Sequence, residues 1–137
     1  SALAFLPNLN SSQRHDLQVA MNAGVRAVAN IPKYGYFNIS ELRSRLNILS
    51  IEQITEKIIL QAAWKRKGEF QEINESLPGP STRSRAKGNI PHPIQKGYLG
   101  KMISTSLRRG WNRLPIAIKH EDNATKAKKL IRDYINQ

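Results

Sequence analysis

Apolar side chains recur every three or four residues along most of this chain, which is the spacing of an amphipathic helix. The first such stretch runs from 13 to 30, after two serines, Ser11 and Ser12, that are suited to cap a helix N-terminus. Pro32 ends it. We expect one helix whose inward face is formed by Leu17, Ala20, Met21, Gly24, Val25 and Val28.

Two capping-box patterns predict the next helices. Asn38 with Glu41 precedes a short apolar pattern, and Ser50 with Gln53 precedes a longer one that continues to Ala62. The longer helix is predicted to end in a basic run at 65–67, with Gly68 in the left-handed conformation that terminates many helices. A helical stub over 70–77 is expected beyond it.

The C-terminal part of the sequence predicts two more helices. Ile103, Leu107 and Trp111 share a face between 100 and 113, and Leu114-Pro115 ends that helix. A last helix begins from Asp122 or Asn123. Its predicted inward residues are Ala127, Leu130, Ile131 and Tyr134. The sequence therefore predicts an all-α fold, a single small bundle of about five helices in one domain over 1–137.

A long basic loop rich in proline and glycine is predicted over 78–97, between near-neutral N-terminal helices over 1–77 and basic C-terminal helices over 98–137. Its breakers are Pro78, Gly79, Pro80, Gly88, Pro91 and Pro93. A loop of this length in a compact domain is typically functional or disordered, so it is a candidate to order on a partner.

The net charge of +12 is distributed very unevenly. Residues 1–78 contribute nine cations and seven anions, whereas residues 79–137 contribute thirteen cations and three anions. Such a field attracts polyanions, which makes nucleic acid the leading partner, ahead of a membrane surface or an acidic protein. The absence of cysteine excludes disulfides, thiolate metal sites and thiol nucleophiles, and it suits a nuclear or cytoplasmic location. No apolar run approaches the ~20 residues of a membrane-spanning helix.

The candidate nucleic-acid contacts are the cations of the loop and of the last two helices, which we expect to lie side by side. The binding is expected to follow the phosphate backbone and shape of RNA, DNA or a hybrid duplex, without sequence readout. The predicted residues are Arg83, Arg85, Lys87, Lys96, Lys101, Arg108, Arg109, Arg113, Lys126, Lys128, Lys129 and Arg132. Tyr34, Tyr36 and Phe37 offer base stacking as an alternative to core packing, while Trp64 and Trp111 are expected in the core.

The order of several motifs resembles the region that follows the palm in non-long-terminal-repeat retrotransposon reverse transcriptases. The similar pieces cover 15–136: the helix from Leu17, the turn at Ile31-Pro32, the stretch from Glu41 to Ile51, Thr82-Arg83-Ser84, Trp111-Asn112-Arg113-Leu114-Pro115, Ile118-Lys119 and the basic last helix. Met21 departs from the glutamine usual in that family. The resemblance implies a thumb and post-thumb module, a fragment or domesticated derivative that holds nucleic acid beside a polymerase domain.

The same resemblance implies no polymerase chemistry in this chain. Polymerisation needs paired aspartates that hold two metal ions, whereas the aspartates here are the isolated Asp16, Asp122 and Asp133. We therefore expect a non-catalytic protein without cofactor or metal.

Two alternative functions stay open at this point. One is a small basic ribonuclease or toxin, in which His120, flanked by Lys119, Glu121 and Asp122, would act as a base beside a phosphate clamp. The other is a helical adaptor for an acidic protein. A homodimer and an attached polymerase domain are both compatible with the sequence.

Overall fold

The computed structural model describes residues 6, 9–31, 38–91 and 103–136, and within these ranges the chain is all-helical, with no strand. The eight helices of this part are α1 (Ser11–Val28), α2 (Ile39–Leu46), α3 (Ile51–Lys65), α4 (Lys67–Glu75), α5 (Arg83–Ala86), α6 (Ile103–Arg113), α7 (Ile116–Lys119) and α8 (Ala124–Ile135). Two of them, α5 and α7, are short helices that the sequence did not predict, whereas α4 corresponds to the helical stub expected over 70–77 and begins three residues earlier.

Polar caps explain where the first helices begin. Asn10, rather than Ser11 or Ser12, caps α1: its side chain accepts a hydrogen bond from Gln13 N at 2.8 Å, and the Gln13 side chain reciprocates. Ser50 and Gln53 form the capping box predicted for α3. The Asn38 side chain accepts from two backbone amides at the start of α2.

The junction between α3 and α4 differs from the prediction. Gly68 is not a left-handed terminator but lies inside α4, and the chain departs from helix only at Arg66. The physical reason is tertiary: Phe70 is 3% exposed and its ring lies 5.4 Å from that of Trp111. Packing of α4 on α6 therefore continues the helical path that the glycine signal alone would have ended.

The core is centred on α3, with α6 and α8 both packed against it and α4 closing one end. Leu60, Leu107, Trp111 and Ile131 are almost completely buried there, which confirms Trp111 as a core residue. Helices α3 and α6 are in close contact at Gly110, since a Cβ at this position would lie 2.7 Å from Ile59 Cγ2. Trp64 is half-buried and packs on the edge of the same core.

Helix α1 is attached in a different way. Of its predicted inward face only Val25 is buried, while Val28 is 75% exposed and Ala20 and Gly24 are also exposed. The predicted apolar face is therefore not buried as a whole. A polar contact joins α1 to α3, because Gln18 Oε1 accepts a hydrogen bond of 2.8 Å from Ile51 N.

Helix α8 buries a narrower face than its pattern predicts. Ala127 and Ile131 are buried and Tyr134 is half-buried, but Leu130 is 38% exposed, so its assignment to the core was wrong. Asn123 is the N-cap, accepting from Thr125 N and Lys126 N, whereas Asp122 accepts a hydrogen bond from Lys67. Within the described ranges, none of the helices combines the length and the apolar character needed to cross a bilayer.

Candidate nucleic-acid interface

The first half of the predicted basic loop, residues 78–91, is held against the core by hydrogen bonds. Thr82 caps the short helix α5 through Arg85 N. The side-chain amide of Asn112 accepts from Ile90 N and donates to Ile90 O, both at 2.8 Å, and Trp111 Nε1 donates to Gly88 O at 2.8 Å. Ile90 itself is 3% exposed. This part of the loop is thus attached to α6 through the side chains of Trp111 and Asn112.

Lys119 is a structural lysine at the centre of that attachment. It is 2% exposed, and its Nζ donates to Lys87 O at 2.8 Å and to Asn89 Oδ1 at 2.7 Å, while lying 5.2 Å from the centroid of the Trp111 ring. Burial, with a smaller effect of the Lys87 charge, lowers the pKa of Lys119 to about 8. Gly88, at φ +79°, makes room for it, since a Cβ there would lie 3.2 Å from Lys119 Cδ.

The three predicted cations of this segment have different surroundings. Arg83 and Lys87 are exposed and available to a ligand. Arg85 is half-buried, and its guanidinium donates to Gly79 O at 2.8 Å and to Glu75 O at 3.3 Å. Arg85, predicted as a nucleic-acid contact, therefore also holds the start of this segment to the end of α4.

The cations of α6 differ in their exposure. Arg108 and Arg109 are half-buried, and Arg113 is exposed but has its Nε 3.7 Å from Glu56 Oε1. An exposed ion pair of this kind is weak, yet it reduces the local positive potential. These arginines are secondary candidates.

Helix α8 presents the clearest basic surface. Lys126, Lys128 and Lys129 are exposed, and no carboxylate in the described part of the chain lies within 4 Å of their ammonium groups. Lys128 and Arg132, four residues apart, are neighbours on the helix surface, as are Lys126 and Lys129, three residues apart. The second pair lies on the face opposite the buried Ala127 and Ile131. Arg132 is half-buried and donates to Asn47 O at 3.1 Å. We call Lys126, Lys128 and Lys129 the α8 lysines.

The basic surface expected on the last two long helices depends on how α6 and α8 lie in the fold. Helices α6 and α8 each pack mainly on α3, and they meet where Tyr134 Oη donates to Arg113 O at 3.4 Å. Lys96 and Lys101, also predicted to bind, lie outside the described residues.

The α3–α4 junction brings two further cations, Lys65 and Arg66, close to the start of α8. They were not among the predicted nucleic-acid contacts. Trp64 Nε1 and Lys67 Nζ both donate to Glu121 O, at 3.1 and 2.9 Å, which brings the α3–α4 junction beside the start of α8. Lys65 and Arg66, both exposed, belong to that junction. The basic run was visible in the sequence, but its proximity to α8 depends on these long-range contacts.

The histidine-containing group proposed for catalysis does not converge on one point. Lys119 is directed at Asn89 and the Lys87 carbonyl, as described above, while His120 is exposed. Glu121 Oε1 accepts from Asn123 N, and Asp122 accepts from Lys67. The Lys67 hydrogen bond, followed by its charge, lowers the pKa of Asp122.

Tyr34, Tyr36 and Phe37, the proposed stacking residues, lie outside the described residues. In the part of the chain that the structure describes, no three histidine or acidic side chains are grouped as metal ligands.

No protein-family model, curated protein or solved structure matches this chain.

Proposed function

We propose that this chain is a non-catalytic nucleic-acid-binding module that contacts the phosphate backbone of RNA, DNA or a hybrid duplex, comparable in role to the thumb and post-thumb region of a non-long-terminal-repeat reverse transcriptase. The observation that carries the proposal is the set of α8 lysines, exposed and without carboxylate partners within the described ranges. Lysines so placed can exchange hydration and counterions for phosphate oxygens.

The charge balance supports the same function. An ordinary solvated surface intersperses both signs, whereas residues 79–137 carry ten more cations than anions. Lys65 and Arg66 extend the positive potential beside the N-terminal end of α8, and Arg83 and Lys87 form a second exposed group. Contacts of this type position a protein on a nucleic acid backbone and carry no sequence information.

The test is a fluorescence-anisotropy titration of labelled single-stranded RNA, hairpin RNA, duplex DNA and hybrid duplex at several salt concentrations. Each lysine that neutralises a phosphate contributes about 0.9 to the slope of log affinity against log salt on a duplex. We expect Lys128→Gln combined with Lys129→Gln to flatten the slope by about 2. The charge-matched control is Ala20→Glu combined with Ala23→Glu, on exposed positions of α1, which lowers the net charge equally.

The control is expected to keep the native slope, because α1 lies outside the proposed surface. Equal slopes for the lysine variant and the unaltered chain would remove α8 from the interface, and absence of binding near physiological salt would contradict the proposed function. Gel analysis of the same samples detects cleavage, which would favour the ribonuclease alternative.

A further inference from the structure

A half-open cleft of about 340 Å³ lies where α4, the α5 segment and α7 meet. Gln71 and Asn74 border it from α4, and Lys87 and Gly88 from the segment that follows α5. Trp111 and Lys119, both almost fully buried, form its deepest part. The volume is at the lower end of the range for ligand-binding pockets, about 300 to 1,000 Å³, which suits one small planar group better than an extended ligand.

The lining combines the two kinds of surface that a nucleotide requires. Ile116 is 45% exposed, although it is a large apolar residue, and it borders the cleft, whereas Trp111 is fully buried behind it. Apolar surface of this kind contacts the face of a base. The cations Lys87 and Lys119 beside it provide positive potential for a phosphate, while the amide NH₂ groups of Gln71 and Asn74 donate to backbone carbonyls within the protein.

Hydrogen bonds join the walls of the cleft to one another. Asn74 Nδ2 donates to Arg85 O at 3.1 Å and to Asn89 O at 2.8 Å, so α4 is joined to the opposite wall. Gln71 Nε2 donates to Lys119 O at 3.3 Å, which joins α4 to α7. A site held in this way loses little conformational freedom when it is filled.

We propose that this cleft receives a single unpaired nucleotide of the bound strand, with the base against Ile116 and its phosphate near Lys87. The proposal rests on the proposed function and makes it more specific: the module would prefer nucleic acid that contains a bulged base. Such a base is already unstacked, so that its insertion has a small energetic cost. One carboxylate, Glu75, also borders the cleft and can accept a hydrogen bond from an exocyclic amine.

The experiment compares three labelled RNA hairpins of equal length: fully paired, with a one-nucleotide bulge, and with the same bulge lacking its base. Covering roughly 50 to 80 Å² of apolar surface with a base changes affinity by roughly 8- to 30-fold. We expect the bulged hairpin to bind more tightly by a factor in this range, and the abasic bulge to bind like the fully paired hairpin.

The variant is Ile116→Asp, and the matched control is Ala117→Asp, an exposed neighbour on α7 that does not border the cleft. Both changes introduce the same charge in the same helical turn. Ile116→Asp should abolish the preference for the bulge, whereas Ala117→Asp should keep it.

The outcomes separate the two proposals. Equal binding of paired and bulged hairpins, equal binding of the bulge with and without its base, or a preference that survives Ile116→Asp would each overturn the cleft proposal while leaving backbone binding intact. Failure of every hairpin to bind at low salt would overturn the proposed function and, with it, the cleft as a nucleotide site.

Discussion

Replacing Asn112 by alanine should loosen the segment from Thr82 to Pro91 without unfolding the core. The Asn112 amide makes two hydrogen bonds of 2.8 Å to the backbone of Ile90, so the change removes a donor and an acceptor at once. Each such bond contributes a net of about 0.5 to 1.5 kcal/mol, which gives about 1 to 3 kcal/mol for the pair.

A loss of this free energy raises the population in which the segment is detached but is too small to unfold the core. At about 1.4 kcal/mol per factor of ten, the open population should rise by roughly 5- to 100-fold. The buried Ile90 side chain and the hydrogen bonds of Trp111 and Lys119 stay in place and keep the closed state the major one.

Limited trypsin digestion measures this opening, because Arg83, Arg85 and Lys87 lie within the segment. When opening and closing are fast relative to cleavage, the cleavage rate follows the open population. Mass spectrometry of the products assigns cleavage to these three bonds and separates it from cleavage elsewhere. Asn136→Ala, which alters an exposed asparagine at the end of α8, serves as the control and should digest like the unaltered chain. An unchanged cleavage rate at the three bonds in the Asn112→Ala protein would refute the role assigned to the amide.

Three further predictions concern the core and the caps. Gly110→Ala should lower the free energy of unfolding by about 1 to 2 kcal/mol in urea titration, because the clash with Ile59 outweighs the higher helix propensity of alanine; a more stable variant would contradict the close α3–α6 contact. Lys119 binds its proton less tightly when folded, with a pKa of about 8 against 10.5 for an ordinary lysine, so the unfolding free energy should rise with pH between these values. The rise should be smaller in Lys119→Met, and urea midpoints from pH 7 to 10 that run parallel for both proteins would argue against it. Ser50→Ala should cost about 1 kcal/mol through loss of the capping box with Gln53, whereas Thr55→Ala, which breaks only a hydrogen bond within α3, gives the comparison for a non-capping position.

Several features of the fold could be read from the sequence because they depend on local interactions. The capping box at Ser50, the stop after Leu114 and the buried position of Trp111 all follow from spacing and residue type, and the structure confirms them. The same is true of the all-helical class in the described ranges. Each of these depends on residues within a few positions of one another.

The errors occur where tertiary packing overrides a local signal. Gly68 is a good terminator in isolation, yet α4 continues through it because Phe70 packs against Trp111. Leu130 and Val28 fit amphipathic patterns, but the width of a buried face depends on which neighbours reach it, and periodicity does not report this.

The candidate site shows the same division. Charge counting determined that the C-terminal half is basic, since the number of cations does not depend on the fold. Only the tertiary structure decided which cations reach solvent: Arg85 is directed at Gly79 O, and Lys119 at Lys87 O, whereas the α8 lysines stay exposed.

What the sequence by itself determined is therefore the helical class, the main helix boundaries and the excess of positive charge. The attachment of the 78–91 segment, the exposure of individual cations and the cleft beside Ile116 were decided by the tertiary structure. The reason is that these features depend on hydrogen bonds between residues far apart in the chain. Asn112 and Ile90 are 22 positions apart, and Lys119 and Lys87 are 32 positions apart. Such pairs leave no periodic signal in the sequence.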